Sequence, residues 1–475
     1  MKKKTFFLLI LIIIIIALLN YNFFNFIFNY QYDLLKWENN QFKKNRSLLN
    51  KRINDSKKTL ESYYNKKPLD KISYEIVPIY DLELIQRQYT LNYLDYNILG
   101  KKDSLPTIIN YFTTPIKLNG KWVGDSLFRI NYKDRGKNNN LKEKYMFALQ
   151  NDDIKKYSIK MNNYFIKKFN IIKGKELNFY RLYQNICIDL FFELHFDLKP
   201  TKEDYNDVYI FIDSVRFFYD TKYLNKYVTK QIFNLQKFYN KTIKRINIIE
   251  KQSNHCLVKK WLDRKSIHNK GDIFLEIIHN ILALVINWFN IIYPYTLNIN
   301  NKNIPRYNIN TDINQYLYES IRFICPVRFI TSSIENNKIY NLEKGKYLHL
   351  YDIKPTLNNN KYFGKNTQKF DINRFKDYHK HIVKNSNLKN KCPFFNSKKN
   401  AKILCNQEII ERKGYIPFGE GYRRCPGEIL TMKFFELFIK NLNNYKFEIN
   451  LPNNISKKEK FIWGEIEKNY LIKFN

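Results

Sequence analysis

The sequence predicts a mainly α-helical fold with small β-sheets, preceded by a single amino-terminal transmembrane helix. Long apolar stretches with helical spacing dominate the chain. Shorter stretches with strand character lie in its carboxy-terminal half. Because no internal repeat and no Pro/Gly-rich seam divides the sequence after residue 72, we expect one large domain over residues 73–475.

The amino-terminal segment has the pattern of a membrane anchor. After three lysines, the run from Phe6 to Leu19 is apolar, and no charged residue occurs before Asp33. Extended through Phe28, the segment is long enough to cross the roughly 20-residue thickness of a hydrocarbon core. A cleaved signal peptide is the alternative, but no small-x-small cleavage site is evident. We therefore predict an anchor over residues 1–32 and a linker over residues 33–72.

The charges flanking this segment predict its orientation. More Lys and Arg residues follow the apolar run than precede it, and the positive-inside rule then places the large domain in the cytoplasm. Six widely separated cysteines also favour a reducing compartment over a disulfide scaffold.

The composition limits the classes of partner. A formal net charge of +37 would suit nucleic acid or an anionic surface. However, the lysines are scattered among many Asn, Ile and Tyr residues, and no basic helix or nucleic-acid motif concentrates the charge. Nucleic-acid binding is therefore not expected.

Specific segments carry the predicted elements. The apolar spacing predicts four long helices and two strands in the large domain. The helices are Leu177–Phe196, Ile273–Tyr293, Ile313–Phe329 and Glu428–Leu442, and the strands are Lys346–Tyr351 and Tyr445–Ile449.

A glycine-rich loop around Cys425 is the most specific motif. Residues 418–427 read F-G-E-G-Y-R-R-C-P-G and lead directly into an apolar helical stretch. Pro426 suits the first turn of that helix, and the glycines permit close backbone approaches. A thiolate there is stabilised by the helix dipole and suits a metal, while Arg423 offers a cation to an acidic cofactor group.

This run resembles the haem-binding signature of the cytochrome P-450 family, F-x-x-G-x-R-x-C-x-G. The matching residues are Phe418, Gly421, Arg423, Cys425 and Gly427. The resemblance implies a cytochrome P-450 fold, haem b (iron protoporphyrin IX) as cofactor and Cys425 as the axial iron ligand. The alternative is a buried structural cysteine beside a turn.

A second motif of the family lies upstream. Glu319 and Arg322 are three residues apart on one predicted helical face, and Arg374 follows in an F-D-I-N-R-F element. In the family, the corresponding three residues form a buried charge network. Ile372 departs from the proline that is usual in this element.

The central helix departs from the family pattern. Aligning Ala283 with the alanine of the A-G-x-D/E-T motif places Ile286 where the acid belongs and Asn287 where the threonine belongs. Losing the acid should impair proton delivery to oxygen. Asn287 remains a candidate catalytic residue, although it could equally fill a polar gap between packed helices.

Three functions stay open. The resemblance implies a membrane-bound haem-thiolate monooxygenase that oxidises a lipophilic small molecule with O2 and electrons from an NADPH-dependent flavoprotein reductase. The second is a lipid-hydroperoxide isomerase or dehydratase that needs no redox partner, as in family members with Asn on this helix. The third is a catalytically silent haem-binding membrane protein. The basic residues around the cysteine loop, Arg412, Lys413, Arg424, Lys433 and Lys440, suggest a docking face for an acidic reductase.

Overall fold

The fold is taken from a computed structural model of the chain. It describes residues 74–78, 145–220, 235–263, 269–327, 329–332, 348–384, 408–419, 424–450, 459–461, 464–466 and 470–475. The predicted anchor and linker lie outside these residues, so both remain predictions. The chain divides into two units, Met1–Lys67 with Asp213–Asn234 and Pro68–Ile212 with Leu235–Asn475. Apart from the end of helix Lys202–Asp220, the features below belong to the second unit.

Helices form most of the described structure, in agreement with the predicted mainly α-helical class. The long helices are α1 (Asn151–Ile172), α2 (Phe179–Phe196), α3 (Lys202–Asp220), α4 (Leu235–Glu250), α5 (Leu257–Asp263), α6 (Lys270–Asn280), α7 (Asn287–Asn300), α8 (Ile313–Ile324) and α9 (Glu428–Leu442). Single turns of helix occur at Lys354–Leu357 and Asn360–Phe363, and 3₁₀ turns occur at Ile372–Phe375 and Tyr378–His381.

The predicted bounds hold for α9 and fail at the end of α8. The predicted helix through Phe329 is wrong, because the helix ends at Ile324 and residues Phe329–Ser332 form a strand. Cys325 caps the helix in a left-handed conformation with φ of 52°, and Pro326 follows it. A residue before proline is disfavoured in the α conformation, which accounts for the early end.

Helices α6 and α7 are joined by a π-helical segment, Ile281–Ile286, into one central helix spanning Lys270–Asn300. This central helix is longer than the predicted Ile273–Tyr293. By length and composition it is apolar enough to cross a membrane, but 83% of its apolar 18-residue stretch is buried inside the protein. It is therefore placed as a core helix.

Small sheets lie beside the helices, as predicted. Two three-stranded sheets have the orders β1-β4-β3 and β2-β10-β7, and two strand pairs join β5 to β6 and β8 to β9. The strands are β1 (Tyr74–Pro78), β2 (Glu176–Asn178), β3 (Phe329–Ser332), β4 (Leu348–Asp352), β5 (Ile382–Lys384), β6 (Glu408–Ile410), β7 (Phe447–Asn450), β8 (Glu459–Phe461), β9 (Gly464–Ile466) and β10 (Leu471–Phe474). Strands β4 and β7 begin two residues after the predicted starts.

Aromatic side chains fill the core between α1, α7 and α9. Phe165 of α1 contacts both Phe434 and Phe438 of α9, with ring centroids 5.8 Å and 5.7 Å apart. Tyr295 of α7 packs edge-on against Phe435 at 4.9 Å. Such pairs stabilise the packing beyond the apolar area they bury. The helix that follows the cysteine loop is thus held on two sides by α1 and α7.

Candidate functional site

The backbone before α9 folds Cys425 back onto the preceding residues. The Cys425 N–H donates to the Phe418 carbonyl at 2.8 Å, and the Gly419 N–H donates to the Ile416 carbonyl at 3.0 Å. The Cys425 side chain is exposed, whereas Cys187, Cys256 and Cys325 are buried. Among the described cysteines, Cys425 is the one whose sulfur is accessible to a ligand.

Two glycines of this region are required by the backbone. Gly419 has φ of 74° and Gly414 has φ of 84°, a conformation that side-chain-bearing residues rarely adopt. A Cβ at Gly414 would also lie 2.6 Å from the Tyr362 ring. Gly427 differs, since its φ is −91° and a Cβ there would meet Cys425 Sγ at an ordinary 3.8 Å. The expectation that Gly427 serves a close approach is not supported by this geometry.

Helix α9 begins at the predicted Glu428, but the expectation that Pro426 lies in its first turn is wrong. Its first residue is Glu428 and its cap is Gly427, so Pro426 precedes the helix instead of occupying its first turn. Arg424 makes two hydrogen bonds to the Glu428 carboxylate, at 2.7 Å and 2.9 Å, and one to the Ile410 carbonyl at 2.7 Å. Sequence reasoning missed this ion pair, which fastens the cysteine loop to both α9 and β6.

Two residues of the predicted signature, Gly421 and Arg423, lie outside the described residues. Phe418 is half-buried and contributes its carbonyl to the Cys425 turn. The proposed contact of Arg423 with an acidic cofactor group therefore remains a prediction.

The central helix is buried except at one place. Of residues 271–293, Leu282, Ala283 and Asn287 are half-exposed and the others are buried. We call these three residues the accessible face. It coincides with the π-helical segment and its end, and such segments occur often at functional sites. Ala283 and Asn287 are the two residues that the family alignment placed at the alanine and threonine positions.

The accessible face lies next to α9, the helix that follows the cysteine loop. The indole of Trp288 stacks on Phe434 of α9 with ring centroids 4.0 Å apart and planes within 9°. Its Nε1–H donates to Thr431 Oγ1 at 3.0 Å, and Thr431 is bonded through its own N–H to the Gly427 carbonyl. Asn287 precedes Trp288, and Cys425 lies six residues before Thr431, so these contacts bring the two predicted site residues into one region.

A buried chain of hydrogen bonds fixes the start of the π-helical segment. The Tyr145 hydroxyl donates to Asn280 Oδ1 at 2.9 Å, and Asn280 Nδ2 lies 2.9 Å from His195 Nε2. His195 Nδ1 lies 2.8 Å from the Phe191 carbonyl, which can only accept, so Nδ1 carries the proton and Nε2 accepts from Asn280. Burial lowers the pKa of His195 to about 3, which keeps the ring neutral.

The structure brings Glu319, Arg322 and Arg374 together. Arg322 makes two hydrogen bonds to the Glu319 carboxylate, both at 2.7 Å, and both side chains are fully buried. Arg374 Nε lies 3.4 Å from Glu319 Oε1, which is an ion-pair distance without a hydrogen bond. The Asp371 N–H donates to the same oxygen at 3.0 Å.

The arginines extend this network to the surrounding backbone. Arg322 donates to the Leu357 carbonyl at 2.9 Å, while Arg374 donates to the carbonyls of Phe363, Lys365 and Asn366. The charge network thus joins α8 to the residues that follow β4. Ile372 in place of the usual proline does not displace Arg374 from it.

The basic residues around the loop carry less available charge than the sequence indicates. Lys433 and Lys440 both pair with Glu436, and Arg424 pairs with Glu428. Arg412 donates to the carbonyls of Arg374 and Tyr362, and burial lowers its pKa. The predicted docking face for an acidic reductase is therefore weakened, because four of its five cations are already engaged.

The described part of the site fits a porphyrin-bound iron. An exposed thiol precedes a helix, and the accessible face of an apolar helix lies beside it. A thiolate is a recognised axial ligand of haem iron. No group of three or more His, Cys, Asp or Glu side chains that could hold a bare metal ion occurs in the described part of the chain.

Replacing Arg322 by Met should destabilise the protein by about 3–5 kcal/mol, because a buried carboxylate would lose its bidentate partner. Chemical denaturation measures this change. Arg306→Met is the matched control, since Arg306 makes an exposed contact with the Tyr445 carbonyl. A similar free energy of unfolding for both variants would contradict the buried charge network.

His195→Gln should flatten the dependence of stability on pH. The folded pKa of His195 lies below the ordinary 6.5, so between about pH 3 and 6.5 the unfolded state binds a proton that the native state does not. Stability is then fully present above pH 6.5 and falls as the pH decreases, by up to about 1.4 kcal/mol per pH unit. Denaturation at several pH values should show this slope reduced in His195→Gln and retained in His379→Gln, whose side chain is exposed.

Comparison with known proteins agrees with this geometry. The family profile described as cytochrome P-450 matches residues 313–474. No curated protein matches the chain. Among solved structures, the cytochrome P-450 of the bacillaene polyketide synthase of Bacillus subtilis 168 is 12% identical with a TM-score of 0.56, covering 88% of this chain and 96% of that one.

Two further structures show the same fold. The haem domain of a cytochrome P-450 designated DA is 14% identical with a TM-score of 0.55, covering 84% of this chain and 87% of that one. A cyanobacterial cytochrome P-450 with bound retinoic acid is 15% identical with a TM-score of 0.53, covering 77% of this chain and 82% of that one. The profile matches residues 313–474 and the fold is shared over most of the chain, so these residues resemble the cytochrome P-450 family, whose members bind haem b, and the chain has a cytochrome P-450 fold.

Proposed function

We propose that the protein is a haem-thiolate monooxygenase that inserts one oxygen atom of O2 into a lipophilic small molecule. The observation that carries this proposal is the exposed Cys425 thiol held ahead of α9, next to the accessible face of the central helix. Cys425 would hold the haem through its sulfur, and the bound haem would supply the oxygen chemistry that a thiolate promotes. An NADPH-dependent flavoprotein reductase provides the electrons.

The residues of this chain bind and orient. The Phe418 carbonyl and the Arg424–Glu428 pair fix the turn that carries the sulfur. Arg423, which lies outside the described residues, would offer its cation to an acidic group of the cofactor. Leu282 and Ala283 offer apolar contact to the substrate, while Asn287 can donate or accept a hydrogen bond at the same face.

The first 72 residues support a membrane location for this activity. Residues 1–32 anchor the protein, residues 33–72 link the anchor to the domain at 73–475, and this domain lies in the cytoplasm. The uncharged apolar run and the excess of Lys and Arg after it support this arrangement. A lipophilic substrate dissolved in the bilayer would then be close to the domain.

A second function, the reductase-independent rearrangement of lipid hydroperoxides, is favoured by the half-exposed Asn287 beside the buried Ile286. A hydroperoxide already contains the O–O bond, so no proton source at position 286 is needed. The third possibility, a silent haem-binding protein, would show neither activity.

Cys425→Ala should abolish the thiolate-type absorption of the reduced carbon monoxide complex and reduce the haem retained on purification. The reason is that Cys425 is the exposed cysteine among those that the structure describes, and it matches the ligand of the family signature. Cys256→Ala is the control, since this buried cysteine directly before α5 should leave the spectrum unchanged. A thiolate-type spectrum in Cys425→Ala would exclude this residue as the ligand.

Asn287→Thr should separate the two enzymatic functions. For a monooxygenase, the alcohol restores part of the family pattern, and oxygenated product formed with reductase and NADPH should rise several-fold. For a hydroperoxide enzyme, turnover of fatty-acid hydroperoxides without an electron donor should fall instead.

Product analysis by mass spectrometry, with and without reductase, distinguishes these results. Asn443→Thr, an exposed substitution beyond the end of α9, controls for unspecific effects. Hydroperoxide turnover by the wild type in the absence of NADPH, with no reductase-dependent product, would overturn the monooxygenase proposal.

A further inference from the structure

The first turn of α9 has no side-chain cap. Its cap residue is Gly427, which offers no side-chain acceptor, whereas α6 and α8 are capped by an asparagine and an aspartate. The first N–H groups of a helix have no intrahelical partner, and a side-chain cap normally stabilises that turn. Because α9 begins three residues after Cys425, other contacts have to restrain the turn that carries the cysteine loop.

A side chain of the central helix acts on this turn. Trp288 Nε1–H donates to Thr431 Oγ1 at 3.0 Å. The Thr431 N–H donates in turn to the Gly427 carbonyl at 2.8 Å. Two consecutive hydrogen bonds therefore connect the central helix to a residue that lies two positions after Cys425. The Arg424–Glu428 pair, by contrast, connects the turn to the cysteine loop itself.

The indole N–H of Trp288 provides something that its ring does not. The ring is 1% exposed and stacks on Phe434, a contact that a phenylalanine at position 288 could also make. The N–H can only donate, and a buried donor without an acceptor destabilises a protein. Trp288 and Thr431 are thus matched as donor and acceptor, and this polar contact sets the position of the first turn of α9.

We propose that Trp288 is a positioning residue for the Cys425 ligand. Its N–H holds Thr431, and the bond from Thr431 to Gly427 holds the end of the loop that presents the sulfur. The sulfur then keeps a fixed place relative to the central helix, and the bond between Cys425 and the iron of bound haem lasts longer. This inference rests on the proposed haem-thiolate function and deepens it with a residue outside the family signature.

The test uses the full-length protein loaded with haem, reduced and bound to carbon monoxide. At a temperature below unfolding, the measured quantity is the rate at which thiolate-type absorption is lost. Trp288→Phe keeps an aromatic ring and removes the N–H, so this rate should rise about two- to ten-fold, as expected for one hydrogen bond. Thr431→Val removes the acceptor at nearly the same volume and should raise the rate equally. Thr431→Ser keeps the acceptor and should keep the wild-type rate.

Combining the two substitutions separates the hydrogen bond from packing. If the bond carries the effect, Trp288→Phe together with Thr431→Val should lose the thiolate no faster than either single variant. Trp261→Phe is the matched control, because it removes the N–H of another buried tryptophan, which donates to the Tyr145 carbonyl at 3.5 Å. This control should keep the wild-type rate.

The outcomes are distinguishable. A wild-type protein without thiolate-type absorption overturns the proposed function and this inference with it. Normal absorption with a wild-type rate in Trp288→Phe overturns the positioning role alone. Additive effects in the double variant, or an equal rise in Trp261→Phe, assign Trp288 a packing role and have the same consequence. Where Trp288→Phe does not fold, the comparison of Thr431→Val with Thr431→Ser decides, and equal rates in these two variants overturn the role.

Discussion

The site depends on the contact that Trp288 of the central helix makes with α9, the helix that follows the cysteine loop. Its indole combines a stacked contact with Phe434 and a hydrogen bond to Thr431, so both the separation and the rotation of the two helices are fixed. A stacked pair alone would permit sliding along the ring plane, and a hydrogen bond alone would permit rotation about its axis. Together they determine how far the accessible face lies from the Cys425 turn.

A second constraint comes from buried charge. Glu319, Arg322 and Arg374 are removed from water at a cost that their mutual attraction offsets only with good geometry and satisfied neighbours. The bidentate Arg322 contact and the backbone carbonyls around Arg374 supply these neighbours. Since any local rearrangement would leave a charge unpaired, the network specifies one arrangement of α8 and the residues after β4.

Arg412 carries this arrangement toward the cysteine loop. Its guanidinium lies over the Phe375 ring at 4.7 Å and donates to the Arg374 carbonyl. Tyr415, three residues further on, packs edge-on against the same ring at 5.1 Å. The loop that presents Cys425 is therefore supported by the same aromatic and charged contacts that surround Glu319.

The sequence was sufficient for elements whose signals are local or specific. The apolar face of α9 and the strands β4 and β7 follow from residue patterns, and the three charged residues follow from a motif with a recognisable order. The ends of helices were harder. The stop at Cys325 depends on one left-handed residue before a proline, which competes with an apolar pattern that continues to Phe329.

Contacts between segments that are distant along the chain could not be predicted from the sequence. The bonds from Arg424 to Ile410 and from Tyr145 to Asn280 join residues whose separation along the chain carries no periodic signal. The sequence also does not show that position 414 requires glycine, because this requirement comes from the Tyr362 ring that packs against it. A π-helical segment likewise leaves no clear pattern in an apolar run, because every residue of Ile281–Ile286 also suits an α-helix.

The burial of Ile286 explains why no acid occupies this position of the central helix. An isoleucine there is 5% exposed, so this position points into the packed core and an acid would be expensive to place there. A motif aligned by sequence position alone does not show which residues face the cysteine loop. The wider π turn at Ile281–Ile286 changes which residues do so. Of residues 271–293, the ones that remain accessible at this turn are Leu282, Ala283 and Asn287, so any polar contact of this helix with a ligand comes from Asn287.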